Sequence, residues 1–269
     1  MRLNIIGFLK FIIKNRNLVT ELTRKEFISK YLGSYLGIIW ALIQPLVTII
    51  IFWFLFAVGF RTKPAGMNFP YILWLLSGII PWFFINDSIT NGAVSILDNS
   101  YLIKKMAFRA SILPLVRVLS ALMVHSVFLF VLLLFFIIYG YPLTVYSLQI
   151  LYYLASSIIL VSGISLITAT ITVFIKDMRH FISIFMQFCF WLSAIFWPLK
   201  ILPAQLRIFI KLNPFYYIIE GFRNSLIHHK WFWSGNLRLT IYFWCLTGII
   251  FLTGLFLFKK FRPYFADYI

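Results

Sequence analysis

The stretch ILPLVRVLSALMVHSVFLFVLLLFFIIY, Ile112–Tyr139, holds one arginine and one histidine in its first half and is otherwise apolar or small. A helix needs roughly 20 mostly apolar residues to cross a hydrocarbon core of about 30 Å, so this stretch predicts a transmembrane helix. The same measure predicts spans near Tyr35–Phe60, Phe69–Ile89, Leu148–Ile175, Phe181–Phe196 and Thr240–Phe258. The sequence therefore reads as an all-α polytopic membrane protein with six transmembrane helices, the fifth of them, Phe181–Phe196, being the shortest.

Composition agrees with this reading and excludes a soluble globule. Of the residues, 62% are hydrophobic and 12% charged, against about 25% charged in an ordinary soluble domain. The net charge of +17 comes from 24 Lys and Arg against 7 Asp and Glu. These cations sit in short segments between apolar runs, where they set orientation and meet anionic headgroups, so nucleic acid is not the expected partner. With the N-terminus inside, sixteen of the 24 fall on inner segments and eight on outer ones, six of those eight in one long loop. That bias predicts that both termini are cytoplasmic. Cys189 and Cys245 lie in apolar runs and read as small hydrophobes, with neither a disulfide nor a metal site expected. The N-terminal residues lack a signal-peptide pattern and are expected to remain on the mature chain.

Two segments are hydrophobic without reading as spans. Residues 1–34 place a basic residue every few positions among Leu3, Ile6, Phe8, Leu9, Ile12 and Ile13. This is the pattern of an amphipathic helix lying in the cytoplasmic interface, and it leaves 35–269 as a single transmembrane domain. The stretch from Pro198 to Leu239 is broken by Pro198, Pro203 and Pro214, which predicts short re-entrant helices between spans five and six.

Four motifs carry chemistry. In KYLGSYLGIIWALIQPL, Lys30–Leu46, Gly33 and Gly37 form a small-xxx-small pair suited to close helix approach, Trp40 sits near the interface and Gln44-Pro45 loosens the helix. PYILWLLSGIIPWFFI, Pro70–Ile85, is followed by a polar run containing Asp87, with a short cytoplasmic helix expected over Ile96–Met106. In VFIKDMRHFISIFMQFCFWLSAIFWPL, Val173–Leu199, Gln187 enters the fifth span and needs a partner helix or a polar path. In KLNPFYYIIEGFRNSL, Lys211–Leu226, Glu220 and Arg223 are three apart and predict an ion pair on one helix face. His125 reads as hydrogen-bonded between helices, and Arg117 as able to snorkel inward.

These motifs, in this order, resemble the membrane subunit of the ABC-2 type exporters of cell-surface polysaccharides, a family with permeases for wall teichoic acid, O-antigen and capsule. Tyr-Leu-Gly…Trp…Pro-Leu, Gly-Ile-Ile-Pro-Trp, Lys-Asp-x-Arg, Phe196-Trp197-Pro198 and Asn213-Pro214 followed by Arg223 carry the resemblance. PYILWLLSGIIPWFF and KKMAFRASILP look most like the teichoic acid permeases. The chain has no Gly-Lys-Ser or Gly-Lys-Thr and hence no phosphate-binding loop. The resemblance implies a transport subunit rather than an enzyme, two copies working with two copies of a cytoplasmic ATPase that binds ATP and Mg, in the bacterial plasma membrane. It implies a polymer carried on a polyprenyl diphosphate, with O-antigen or another polysaccharide as the alternative to teichoic acid. No cofactor is expected in this chain.

On that reading, Arg24, Lys25 and Lys30 meet the diphosphate. Trp40, Gln44, Trp74, Trp82, Gln187, Trp197, Tyr216, Tyr217, Glu220 and Arg223 line the path and gate, aromatic faces allowing a polymer to slide. Asp98, Tyr101, Lys104, Lys105 and Asp177 face the ATPase. A membrane enzyme on lipid-linked sugars is disfavoured because the seven acids offer no close pair except Glu21 with Glu26. An ion-coupled carrier is disfavoured because ionisable groups at mid-depth are nearly lacking.

Overall fold

A computed structural model describes residues 14–30, 35, 37–59, 69–105, 110–235 and 237–269. Residues 1–13 of the expected interfacial helix, Gly33 and the side chains of Lys104 and Lys105 lie outside that description. Among the described residues the secondary structure is helical, with no strand.

The helices follow in the order α1 (Arg16–Ser29), α2 (Trp40–Trp53, continued by a π-helical turn over Phe54–Gly59), α3 (Tyr71–Asp98), α4 (Ser100–Lys105) and α5 (Ile112–Ile138). Then come α6 (Gln149–Phe174), α7 (Met178–Trp191), α8 (Ala204–Leu212), α9 (Pro214–Arg223) and α10 (Leu237–Phe261). Among the described residues, 5 helices are long and apolar enough to cross a membrane: α2 with its π turn, α3, α5, α6 with its preceding turn, and α10 with its C-terminal extension.

The expected fifth span is where sequence and structure differ. Phe181–Phe196 does not form a membrane-length helix: α7 covers 14 residues and stops at Trp191, a rise of about 21 Å. The chain then turns, with Ala194 in the left-handed region at φ 52°. A second difference lies at the end of α3, expected near Ile89 and found at Asp98. The polar run beyond Ile85 stays helical because its polar groups bond back into the helix, Thr90 Oγ1 to Asn86 O (2.7 Å), Asn91 Nδ2 to Asp87 O (3.0 Å) and Ser95 Oγ to Gly92 O (2.7 Å). Hence the short helix expected over Ile96–Met106 is reduced to α4, and Ile96 to Asp98 belong to α3.

The centre of the molecule is α3, which packs against α2, α5, α6, α7 and α9. Small side chains permit this. Ser165 Oγ of α6 donates to Ser88 O of α3 (3.1 Å). On the other side of α6, a Cβ on Gly254 of α10 would lie 2.7 Å from the carbonyl of Gly163, so the α6–α10 contact needs glycine there. At one end of the bundle Ile96, Val173, Phe258 and Phe265 gather the ends of α3, α6 and α10 into a small cluster. α1 rests on α5, with Val19 against Ile112 and Val116.

Candidate functional site

Three polar assemblies stand out in an otherwise apolar bundle. The first is a cavity of about 680 Å³ between α2, α3 and α5. Trp40, Gln44 and Thr48 reach it from α2, Asn86, Asp87, Thr90 and Asn91 from α3, and His125 from α5, with Lys30 at its rim and Phe83, Phe84 and Phe128 as apolar wall. The i, i+4 spacing of Trp40, Gln44 and Thr48, and of Asp87 and Asn91, brings each set to one helix face. Lys30 Nζ meets Asp87 Oδ1 at 2.8 Å and Oδ2 at 3.1 Å, and Asn91 Nδ2 donates to Asp87 Oδ1 at 2.6 Å. His125 is 3% exposed. The Ile80 carbonyl faces it, but neither ring nitrogen reaches hydrogen-bond geometry. Its ring packs on Phe84, with centroids 5.1 Å apart.

The second assembly lies near the N-terminal half of α3. Arg223, 1% exposed, sits at the end of α9 with its guanidinium 3.5 Å from the centroid of the Trp74 ring. It donates to the carbonyls of Ala194 (2.9 Å) and Ile195 (2.8 Å) and lies 3.6 Å from Glu220, the pair expected from the i, i+3 spacing. Those carbonyls are exposed to capture because α7 has ended and the left-handed Ala194 turns the chain away. Gly78 makes the room: a Cβ there would stand 2.7 Å from Arg223 Nη2. Asn213 accepts from Phe215 N (3.0 Å) as the N-cap of α9, Pro214 occupies the first turn, and Asn213 Nδ2 donates to Ser193 Oγ (3.0 Å). Tyr71 Oη donates to Phe196 O (3.2 Å). The turn between α7 and α8 is thus tied to both α3 and α9.

The third assembly joins three elements at the opposite end of α3. Arg117 of α5 meets Glu26 of α1 at 2.6 Å and Asp98 of α3 at 2.7 Å. Arg117 thus clamps α1 to the end of α3. Asp98 is therefore paired within the chain although, like Tyr101 and Asp177, it is exposed.

Lys30, Trp40 and Gln44 come together in the cavity, and Trp74, Glu220 and Arg223 in the buried cluster. Arg24 and Lys25 are exposed on α1, with no ion pair among the described residues. Of the residues expected on the path, Trp82, Tyr216 and Tyr217 are, like Trp74 and Arg223, buried within the single chain. Trp82 lies between Phe190 and Phe215, with centroids at 5.5 and 5.8 Å. Tyr217 bonds Tyr152 Oη (2.9 Å) and Thr240 Oγ1 (3.2 Å), and Tyr216 packs with Ala194 and Ile210. The reason is position: Trp82 faces α7, Tyr217 faces α6 and α10, and Tyr216 faces α8 and the turn that follows α7. Trp197 is half-buried and Gln187 exposed, its amide without a partner among the described residues. Asn86, Thr90 and Asn91 are the site residues that sequence reasoning missed. The signal was available in the polar face of NDSITN, which reads as loop until its helical period is followed past Ile89.

Comparison with known proteins agrees with this architecture. The family described as ABC-2 type transporter matches residues 17–227. The chain is 27% identical over 257 residues to the O-antigen export system permease protein RfbA of Klebsiella pneumoniae, covering 93% of this chain and 94% of that protein. It is 24% identical over 231 residues to RfbA of Myxococcus xanthus, covering 84% and 86% respectively. It is also 26% identical over 212 residues to the polysialic acid transport protein KpsM of Escherichia coli, covering 78% and 81%.

Proposed function

The chain belongs to the ABC-2 type transporter family, and from that premise we propose that it is the permease subunit of an ATP-driven exporter of a polyprenyl-diphosphate-linked cell-surface glycan. It is a multi-pass bacterial membrane protein and a transport component rather than an enzyme. The observation that carries the reading is the end-to-end similarity to an O-antigen export permease, over 93% of this chain. The relatives named for O-antigen and polysialic acid favour a polysaccharide cargo. PYILWLLSGIIPWFF favours the second reading, a wall teichoic acid.

In this reading both termini are cytoplasmic, and ATP and Mg are bound by a separate ATPase subunit that engages α4 and the turn at Asp177. Residues 1–34 serve as the interfacial element, and 35–269 as the transmembrane domain. Two copies of the chain form the path. Support for a second copy comes from α7, whose exposed face sets Gln187 among Ile184, Phe188 and Trp191; an amide on an apolar, membrane-facing surface gains from a partner chain. Arg24 and Lys25 meet the diphosphate, while the charge of Lys30 is balanced by Asp87. The α8–α9 segment, held by Arg223, is the gate.

Proteoliposomes holding the chain with its ATPase subunit, loaded in parallel with an O-antigen-type and a teichoic-acid-type polyprenyl-diphosphate glycan, test this. ATP-dependent appearance of one glycan to an added glycosidase or periodate is the expected result, and the glycan that moves decides the cargo. Translocation without the ATPase subunit, or none of either glycan with both subunits present, refutes it.

A further inference from the structure

The cavity between α2, α3 and α5 has polar groups with no partner among the described residues. The amides of Gln44 and Asn86 have no hydrogen-bond partner among the described residues, and both ring nitrogens of the buried His125 fall short of hydrogen-bond geometry, with the Ile80 carbonyl facing the ring. A buried polar group left without a partner costs on the order of 1–3 kcal/mol, and His125 is such a group; with the half-buried Asn86 and the exposed Gln44 beside it on one space of about 680 Å³, it points to an occupant. That volume is ordinary for a small-molecule site.

The charge arithmetic of the lining selects the occupant. Lys30 and Asp87 are 2.8 Å apart and neutralise each other. What remains are two amides and an imidazole. Amides donate and accept from separate atoms, and a neutral imidazole does the same from its two nitrogens. Hydroxyl groups also do both. A phosphate only accepts, and it would meet the Asp87 carboxylate beside a lysine already paired. Trp40, 47% exposed at the edge of the cavity, offers the flat apolar surface on which the C–H face of a sugar ring packs. Entry is lateral: α2 packs on α3 without a substantial contact to α5, and only 11% of its apolar stretch is buried.

We infer that this cavity binds one uncharged, hydroxyl-bearing headgroup, a glycosyl or polyol unit presented from the bilayer. The inference rests on the exporter reading for the identity of the cargo, since a lipid-linked glycan and a resident glycolipid present the same chemistry.

The test uses the full chain with its ATPase subunit in lipid nanodiscs, without ATP, and a farnesyl glucoside bearing a diazirine on the sugar. Photolabelling mapped by mass spectrometry is expected within residues 40–48 and 86–91. Excess unlabelled farnesyl glucoside or glucosyl dioleoylglycerol should suppress it about tenfold; farnesyl phosphate should change it less than twofold. Suppression by farnesyl glucoside alone assigns the site to polyprenyl-linked cargo, and suppression by the diacyl lipid as well assigns it to the sugar headgroup itself; both support the inference. His125→Phe should cut labelling at least fivefold while thermal stability stays level or rises, because an unsatisfied ring is replaced by an apolar one of similar shape. Gln44→Leu, on the exposed face of α2, should cut it without touching the core. Competition by farnesyl phosphate equal to that by the glucoside, or labelling indifferent to both substitutions, overturns the proposal. Labelling needs no transport, so a chain that labels but never exports defeats the exporter reading alone, and one that exports but never labels defeats this one alone.

Discussion

Helices α2 and α3 invert the rule that holds in water. α2 is the more apolar, with mean hydropathy 2.4 in its best window against 1.5 for α3, yet 11% of that window is buried in α2 and 78% in α3. The inversion follows from the solvent. Lipid tails are as apolar as leucine, so hydrophobicity supplies no drive between helices, and association relies on close packing and hydrogen bonds. Ser77, Gly78, Ser88, Gly92 and Ser95 let α3 be approached from every side. α2 buries only Ala41 and Ile49 and turns Ile50, Ile51 and Phe54 outward.

Breaking the interior of this comparison should have the largest effect. Arg223→Met leaves Glu220 and the carbonyls of Ala194 and Ile195 without their donor. Removing one partner of a buried charge cluster costs about 3 kcal/mol. The expected outcome is a marked fall in thermal stability in nanodiscs and loss of the ordered turn after α7, read as new protease cleavage near Ala194. An unchanged melting temperature would show that the cation does not hold that turn.

Next in size is the small-residue contact. Gly254→Val drives a side chain toward the Gly163 carbonyl, 2.7 Å from where its Cβ falls, and overpacking of this kind costs about 2 kcal/mol. The separation of α6 from α10, followed by spin labels on the two helices, should widen. A wild-type distance with wild-type stability would mean that the two backbones are not in close contact.

A weaker effect is expected at the rim. Lys30 and Asp87 are about a third exposed, and pairs of that kind contribute ~1 kcal/mol or less. Lys30→Gln should lower stability by no more than that amount, and the difference should shrink in high salt. A salt-independent loss would argue that Lys30 acts through packing.

The same two helices mark what the sequence could reveal. Hydropathy placed α2, α5, α6 and α10 and the start of α3 within about five residues, because length and apolar content are the constraints a bilayer imposes; the polar far end of α3 it missed. It also placed a span over Phe181–Phe196, where an apolar run is interrupted by a turn that only Arg223, some thirty residues downstream, stabilises. The pairing of Glu220 with Arg223 was legible because helical spacing fixes it locally. Arg223 against Trp74 and Gly78 was not, since nothing local in Gly-Ile-Ile-Pro-Trp announces which distant cation its glycine admits. Nor was the burial of Trp82, Tyr216 and Tyr217, because aromatic type says nothing of which helix face meets the core.

The smallest effect is expected on the bare face of α2, and it sharpens the comparison most. Ile50 is 60% exposed, so Ile50→Ala removes little contact within the chain, and surface changes of that sort stay within about 0.5 kcal/mol. If lipid covers this face, neither stability nor self-association should change. If a second copy covers it, stability measured at high lipid dilution should stay level while association, followed by energy transfer between labelled copies, weakens. Gln187→Leu on α7 provides the matching control. An amide bonded across a copy interface loses association when replaced, whereas an amide that merely tolerates lipid leaves it unchanged or stronger. Weakened association in both variants would mark α2 and α7 as one continuous interface. Weakening at Gln187 alone would leave α2 to lipid, and the sideways entrance beside Trp40 would then remain open in the assembled protein.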